Sequence, residues 1–188
     1  MNFFVLTGKT SDAGEFIKFW RQFYTYSNEE KYNDSIGLTN FDKQNLIALF
    51  EWKNGSRLSD RKTKSFEEKI LSKLEIINTF KKSQDFKLDE FAREFKGVSA
   101  IWKSFLLHII KPKEYPVFDQ HVYRAYYYLK NSLIKELPQE NIKKEKIYFE
   151  EYLAFFQQIQ DGFSLKETDE ALWSFGKFLK SNYGRSIK

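Results

Sequence analysis

Hydrophobic residues recur at three- and four-residue intervals along most of the chain, a spacing that predicts amphipathic α-helices. In the first half, the stripes consist of Phe16, Phe19, Trp20 and Phe23, then Phe41, Leu46, Leu49, Phe50 and Trp52, then Phe66, Ile70, Leu74 and Ile77, and then Leu88, Phe91, Ala92 and Phe95. Thr39 and Asn40 are suited to cap the second of these helices, and Gly55 is suited to end it. The third is predicted as one long helix that follows Ser65, and the fourth stops before Gly97.

The second half contains the most apolar stretch, AIWKSFLLHII at residues 100–110, which predicts a buried helix. Pro112 and Pro116 end this helix and favour an extended connection, after which Asp119 begins the next helix. A polar, lysine-rich stretch at 135–146 is expected to form a loop or a weakly held insertion. Two further helices carry Tyr148, Tyr152, Phe155, Phe156 and Ile159, and then Leu172, Trp173, Phe175, Phe178 and Leu179.

The helical pattern predicts an all-α fold, with one doubtful strand at residues 3–6. At 188 residues, the chain is long enough for a single helical domain, or for two small lobes that share a core. It contains no run of about 18 apolar residues, and its first apolar run is too short for a signal-peptide core. We therefore expect a soluble, cytoplasmic protein that does not enter a membrane.

Composition limits the chemistry. The chain has no cysteine, which excludes disulfides, thiolate zinc sites and iron–sulfur clusters held by cysteine. Its two histidines, His108 and His121, do not form a recognisable metal site, so we expect no metal centre. The net charge of +5 permits a polyanionic partner. A basic cluster at 53–64 is interpreted first as a solvated loop and second as a phosphate-contacting surface.

A short turn, Lys96-Gly97-Val98-Ser99, separates two apolar helices. A glycine, an apolar residue and a small residue allow the backbone to turn tightly and expose N–H groups at the start of the next helix. Such N–H groups can bind a phosphate, aided by the helix dipole. A simple connection between helices is the alternative interpretation.

The segment D-x-H-V-x-R begins at Asp119, 22 residues after Gly97, and Pro116 precedes it. With its hairpin glycine, second helix, proline and D-x-H-[hydrophobic]-x-R segment in this order, the chain resembles the helix-hairpin-helix DNA glycosylases. This base-excision superfamily includes the endonuclease III type. The resemblance is carried by residues 88–129. A further, weaker similarity lies at Leu172, Trp173 and Gly176.

This resemblance implies a two-lobed helical fold. One lobe would comprise about 30–115 and contain the helix-hairpin-helix at 88–110, and the other would combine 1–29 with 116–188. It also implies a role in DNA repair, with double-stranded DNA as the partner and Gly97, Val98 and Ser99 contacting the DNA backbone. We expect a monomer.

The resemblance makes Asp119 the catalytic carboxylate. Cleaving the bond between a base and deoxyribose develops positive charge on the sugar, which a carboxylate stabilises while it orients or deprotonates the attacking water. An aspartate at a helix N-terminus stays ionised, because backbone N–H groups and the dipole favour its anion. Plain helix capping is the alternative, and it predicts the same local geometry.

His121 and Arg124 are interpreted as supporting residues, His121 in packing or hydrogen bonding and Arg124 in an internal ion pair. His108 is interpreted as a core histidine whose hydrogen bonds are satisfied. The base-stacking residue is not identified by the sequence. The candidates are Tyr123, Tyr126, Tyr127, Tyr128, Trp20, Trp52 and Trp102.

Two departures from the family pattern shape the expected activity. Ile101 stands where members with lyase activity have a lysine nucleophile, and Lys103 is predicted to face away from that position. We therefore expect hydrolysis by water, without a lyase step. Ser99 stands where the family most often has glycine, which tolerates positive φ better. No cofactor is expected, although the resemblance leaves room for a monovalent cation at the hairpin.

Three functions remain open at this point. The first is a monofunctional DNA glycosylase acting on a damaged or mismatched base through Asp119. The second is a catalytically silent helix-hairpin-helix module that binds DNA, which Ser99 and Ile101 favour. The third is a helical domain whose cleft binds a small molecule or a protein.

Overall fold

The computed structural model describes residues 10–160, 162–182 and 184. The protein is all-α, as predicted, and no strand occurs within this described part of the chain. The doubtful strand at residues 3–6 lies outside it. Among the helices in the same ranges, none is both long enough and apolar enough to cross a membrane.

The chain folds into a succession of short helices. They are α1 (Ala13–Arg21), α2 (Glu29–Ile36), α3 (Lys43–Asn54), α4 (Asp60–Lys69), α5 (Leu74–Lys82), α6 (Leu88–Glu94), α7 (Ala100–Ile110), α8 (Gln120–Asn131), α9 (Asn141–Lys146), α10 (Leu153–Gln160) and α11 (Leu165–Lys180). A 3₁₀ turn at Leu71–Lys73 precedes α5, and a π-helical segment at Ile147–Tyr152 joins α9 to α10.

Two predicted elements differ in the structure, and one helix was not predicted. The long helix after Ser65 is broken, because the backbone leaves the helical conformation at Ile70 (φ −123°, ψ −59°) between α4 and the 3₁₀ turn. The lysine-rich stretch at 135–146 is not entirely a loop, since α9 occupies its second half. Helix α2 was not predicted. Tyr32 and Ser35 are its buried residues, so it offers no hydrophobic stripe.

The cap of α3 also differs from the prediction. Asp42, rather than Thr39 or Asn40, caps this helix: its carboxylate accepts from the Asn45 N–H at 2.8 Å, and the Asn45 side chain accepts from the Asp42 N–H at 2.9 Å. This reciprocal pair satisfies two backbone donors that a helix start leaves open. Gly55 ends α3 in the left-handed conformation (φ +76°), as predicted.

Helix α7 forms the centre of the hydrophobic core, as its apolar sequence predicted. All residues at 103–110 are buried. The core continues through α8, the π-helical segment and α11. Helix α11 packs along both α8 and α1, and α9 packs on α7.

Helices α8 and α11 approach most closely at Gly176. A Cβ atom at that position would lie 1.9 Å from the backbone oxygen of His121, in the first turn of α8. No side chain fits in that space, so glycine is required for this contact. The contact fixes the start of α8 against α11.

Candidate active site

Asp119 occupies the N-cap of α8, as predicted. After a turn at 111–115, Pro116 and Val117 lead into Asp119, whose own backbone is extended (φ −156°, ψ −174°). Its Oδ1 accepts hydrogen bonds from the N–H groups of His121 at 2.7 Å and Val122 at 3.1 Å. The carboxylate is thus held at the tip of the helix, where the dipole favours its negative charge.

The other carboxylate oxygen, Oδ2, lies 3.3 Å from Nζ of Lys53. Lys53 belongs to the last turn of α3, and its side chain is only 5% exposed, with Nζ 5.8 Å from the ring centroid of Phe105. The interpretation of the basic cluster at 53–64 as a solvated loop is therefore wrong for Lys53. The Asp119 side chain is 23% exposed, so the ion pair is accessible from one side.

The environment of Asp119 favours its anion. Burial raises the pKa of the Asp119 carboxyl, but the Lys53 ammonium, His121 and the two backbone N–H groups outweigh burial. The pKa of Asp119 therefore lies below its ordinary value. The carboxylate is ionised at neutral pH.

Asp119 and Lys53 line a pocket of about 500 Å³, counting its open mouth. Segments distant in sequence form it: the α1–α2 connection, α2, the end of α3, the start of α8, and α11. Its aromatic walls are Tyr24, Tyr26, Tyr32, Trp52 and Trp173. Of these, only Trp52 was among the predicted stacking candidates. Pockets of this kind, apolar with a few polar groups, are typical of small-molecule or extruded-base sites.

Glu29 holds two of these walls together. Its Oε2 accepts from the Tyr24 hydroxyl and from Nε1 of Trp52, both at 2.9 Å, while its Oε1 accepts from Nζ of Lys166 at 2.8 Å. The Tyr26 hydroxyl donates to the backbone oxygen of Trp52 at 2.7 Å. These bonds fix the orientation of the rings before any ligand enters.

A second carboxyl group, Asp169 of α11, also lines the pocket. Its Oδ2 accepts from the Val117 N–H at 3.0 Å, whereas its Oδ1 is buried and has no hydrogen-bond partner among the described residues. Burial raises the pKa of Asp169 well above its ordinary value, against the Val117 N–H and the Lys53 charge, and the Asp119 charge raises it further. Asp169 therefore remains protonated where Asp119 is ionised.

Sequence reasoning missed Lys53, Asp169 and Glu29. A signal for Asp169 did exist: it lies three residues after Lys166 and four before Trp173, so these three share one face of α11. Lys53 carried no comparable signal, since its partner is 66 residues away.

Buried tyrosines support the chain that leads into Asp119. Tyr148 donates to the backbone oxygen of Pro116 at 3.1 Å, and Tyr152 donates to that of Val117 at 3.4 Å. Both belong to the π-helical segment, where an extra residue per turn redirects side chains. Both tyrosines thus bind backbone oxygens of the connection that leads into α8.

Arg124 and His121 support α8 from behind. Arg124 is fully buried; it pairs with Glu136 at 3.1 Å and 2.7 Å and donates to the Gly176 backbone oxygen at 2.9 Å. Arg124 therefore forms an ion pair, as predicted, but the pair is not internal, because the Glu136 side chain is 65% exposed. Nδ1 of His121 lies 3.3 Å from Nη1 of Arg124, and the His121 ring lies 5.4 Å from the Trp173 ring. Burial lowers the pKa of His121.

The turn at residues 96–99, predicted from the resemblance to contact DNA, lies between α6 and α7. Gly97 and Ser99 are exposed and Val98 is buried. The Ser99 side chain caps no N–H of α7, and the Ala100 N–H donates to Oδ1 of Asn141 at 3.3 Å. None of these hairpin residues is among the described residues that line the pocket.

Ile101, which the resemblance places where a lyase would have its lysine, is also outside the described pocket lining. Its side chain is partly buried. Lys103 is buried and pairs with Glu145 at 2.7 Å. The lysine that does approach Asp119 comes from α3 instead.

His108 has the role predicted for it, a satisfied core histidine. Its Nδ1 lies 2.7 Å from the backbone oxygen of Tyr115, which only accepts, so Nδ1 carries the proton. Its Nε2 then accepts from the Tyr32 hydroxyl at 2.8 Å. Burial lowers the pKa of His108 to about 4, so it is neutral at pH 7.

Within the described ranges, no group of three or more His, Cys, Asp or Glu side chains is arranged to hold a metal ion. No family model matches the chain, and no curated protein or solved structure matches it either.

Proposed function

We propose that this chain is a monofunctional DNA glycosylase of the helix-hairpin-helix type, which hydrolyses the N-glycosidic bond of a damaged or mismatched base in double-stranded DNA. One observation carries the proposal: an ionised carboxylate, Asp119, held at the tip of α8, opens onto a pocket with aromatic walls. The proposal places the protein in the cytoplasm, acting as a monomer in base-excision repair.

The chemistry of the pocket suits this reaction. As the base leaves, positive charge develops on the sugar, and the Asp119 carboxylate stabilises that charge and orients the attacking water. The bases of duplex DNA are stacked, so the target nucleotide must be extruded, and the partly exposed rings of Tyr26 and Trp173 are the stacking surfaces that we propose for it.

Lys53 keeps Asp119 in its reactive form. The ammonium lies 3.3 Å from Oδ2 and favours the anion. Lys53 is engaged by Asp119 in this ion pair, so we propose water as the attacking group. This agrees with the loss of the family's lyase lysine at Ile101, and it is the basis for proposing a monofunctional enzyme.

DNA would be held by its backbone at the hairpin. Gly97 and Ser99 are exposed at the start of α7, where N–H groups and the helix dipole favour a phosphate. The net charge of +5 adds a non-specific attraction, which salt weakens.

A catalytically silent DNA-binding module is the second candidate, and one observation favours it. Both oxygens of Asp119 are already hydrogen-bonded within the chain, Oδ1 to two N–H groups and Oδ2 to Lys53. A carboxylate occupied in this way could serve only as a helix cap that anchors α3 to α8.

The deciding experiment compares wild type with Asp119→Asn on duplexes that carry uracil, hypoxanthine, oxidised or alkylated purines, or mismatches. Asparagine keeps the cap but not the charge. Single-turnover base release should fall about 10²- to 10³-fold while DNA affinity changes little, since the lost interaction is electrostatic stabilisation of the transition state. Asp42→Asn, the same change at the cap of α3, is the matched control and should retain activity.

The same assays separate the alternatives. Salt-dependent duplex binding without base release from any lesion would favour the silent module. Base release that is equal in wild type and Asp119→Asn would remove Asp119 from the mechanism. Borohydride trapping on abasic DNA should give no covalent adduct, and an adduct lost in Lys53→Met would show that the enzyme has lyase activity through Lys53.

A further inference from the structure

We propose that Asp169 is the catalytic acid of this pocket and donates its proton to the leaving base, while Asp119 acts on the sugar. The inference rests on the proposed glycosylase function and assigns a second catalytic residue to it. It follows from the position of Asp169, the unused oxygen of its carboxyl group and the contrast with Asp119.

The two carboxyl groups are positioned by the same short backbone segment. Val117 donates its N–H to Oδ2 of Asp169 at 3.0 Å, and Asp119 follows two residues later. Both groups line the pocket, Asp119 from the start of α8 and Asp169 from α11. A nucleotide that enters the pocket therefore meets both.

The free oxygen of Asp169 is the second geometric observation. Oδ1 is buried without a hydrogen-bond partner among the described residues, which costs free energy in a folded protein unless a ligand supplies the partner. A protonated Oδ1 is a donor, and the nitrogen or oxygen atoms at the edge of a base are acceptors. On this proposal, a base bound in the pocket supplies the partner that Oδ1 lacks.

The charges around Asp169 explain why it keeps its proton. Asp119 faces it from the start of α8, Glu170 lies next to it on α11, and both carboxylates disfavour a further negative charge. Lys53 of α3 favours the anion, as does the Val117 N–H, but burial outweighs both and the pKa of Asp169 stays raised. The other titratable groups near it are Tyr32 of α2 and Tyr148 and Tyr152 of the π-helical segment, and burial raises the pKa of each.

Two carboxyl groups with separated pKa values in one pocket are suited to acid–base work. As the C1′–N bond breaks, its electron pair leaves with the base, and the Asp169 proton moves from Oδ1 to an atom of the base. Water then adds to C1′ and gives a proton to Asp119. Solvent removes the proton from Asp119 and returns one to Asp169, so the net reaction consumes one water.

The acid matters most for neutral bases. A neutral base leaves as an anion unless it is protonated, whereas an alkylated purine such as 7-methylguanine already carries a positive charge and leaves as a neutral molecule. Loss of Asp169 should therefore slow the release of neutral bases far more than the release of cationic alkylated purines. A purely structural role would slow both equally.

The test is single-turnover base release by the full chain, wild type and Asp169→Asn, from duplexes carrying hypoxanthine or 7-methylguanine. Asparagine keeps an oxygen for the Val117 N–H but cannot donate a proton. Release of hypoxanthine should fall about 10²-fold or more, the usual contribution of a general acid, and release of 7-methylguanine less than about threefold. Equal losses on both substrates, or no loss on either, would overturn the inference.

The pH profile of wild type gives a second readout that needs no variant. The rate should fall on the alkaline side as Asp169 loses its proton, and on the acidic side as Asp119 gains one. A flat alkaline limb overturns the inference, as does an enzyme that releases cationic bases alone. If wild type releases no base at all, the proposed glycosylase function is wrong. If wild type and Asp169→Asn release bases equally well, the glycosylase function stands and only the role of Asp169 as the acid is wrong.

Discussion

Two buried polar clusters lie side by side in this protein. The pocket cluster comprises Asp119, Lys53 and Asp169, and the core cluster comprises His108, Tyr32 and the backbone oxygen of Tyr115. Both ring nitrogens of His108 have partners within the chain, whereas Asp169 keeps one oxygen without a partner among the described residues. The hydrogen bonds of the core cluster are complete within the chain, whereas the pocket cluster retains one unpaired oxygen.

In both clusters, burial favours the uncharged form of a titratable side chain. It lowers the pKa of His108 and raises that of Asp169, so in both cases it favours the neutral form. The two pKa values shift in opposite directions because the ionised form of histidine is a cation and that of aspartate is an anion. A shifted pKa alone therefore does not distinguish a core residue from a reactive one; the free oxygen and the adjoining pocket do.

The largest effect is expected at the contact that builds the pocket cluster. Gly176→Ala should destabilise the fold by about 4 kcal/mol, because the new Cβ would lie 1.9 Å from the backbone oxygen of His121 and force α11 away from α8. Chemical denaturation followed by circular dichroism measures this change.

Gly97→Ala is the matched control. A Cβ on Gly97 meets no described atom within 4 Å, so this variant should unfold within about 0.5 kcal/mol of wild type. If both substitutions cost the same, the close approach of α8 and α11 does not hold the pocket in place.

The core cluster should make the free energy of unfolding depend on pH. His108 has its pKa lowered to about 4, below the unfolded value of 6.5, so the unfolded chain binds more protons between these values. The stability contributed by neutral His108 is full above pH 6.5 and falls by about 3 kcal/mol as the pH drops to 4. His108→Gln, which keeps a polar side chain but does not titrate, should lack this loss.

Urea unfolding of wild type and His108→Gln at several pH values between 4 and 7 measures the difference. Asp169 contributes in the opposite direction, since its raised pKa makes stability fall with rising pH, but it is present in both chains and cancels. A constant difference between the two proteins across this range would mean that His108 does not titrate abnormally.

The smallest expected effect is on DNA affinity, and it concerns the starts of α8 and α7. One start is capped by a side chain and the other is not. The Asp119 carboxylate closes the start of α8, whereas the Ser99 side chain makes no capping bond at the start of α7. If α7 receives a DNA phosphate, Ser99→Asp should weaken duplex binding about tenfold by like-charge repulsion, and Ser99→Asn should change it less than about twofold. Fluorescence anisotropy at several salt concentrations provides the affinities. Equal affinities for the two variants would place the phosphate elsewhere.

Strong local patterns in the sequence were sufficient for much of the fold. The apolar stretch at 100–110 predicted α7, and Pro116 with Asp119 predicted the start of α8. The connection between them was predicted as extended chain, but it begins with a hydrogen-bonded turn at 111–115. Helix α2 was missed because it buries few side chains and so lacks the stripe that marks a helix.

The site was predicted only in part. Asp119 was identified because capping leaves a local signature, but its partners come from α3 and α11, and local patterns do not specify pairs so distant in sequence. The resemblance that suggested glycosylase chemistry also predicted that the hairpin contacts DNA, and the hairpin residues lie outside the described pocket lining. Whether that hairpin contacts DNA stays a prediction.

Tyr32 belongs to both clusters, and this has a consequence for binding. Its ring forms part of the pocket wall, its hydroxyl donates to His108 in the core, and the ammonium of Lys166 lies 5.1 Å from its ring centroid. The loss of side-chain entropy for this ring therefore occurs on folding rather than on binding. A ligand that touches the exposed part of this wall does not have to immobilise the ring first, so selection among ligands depends on how well each one fits.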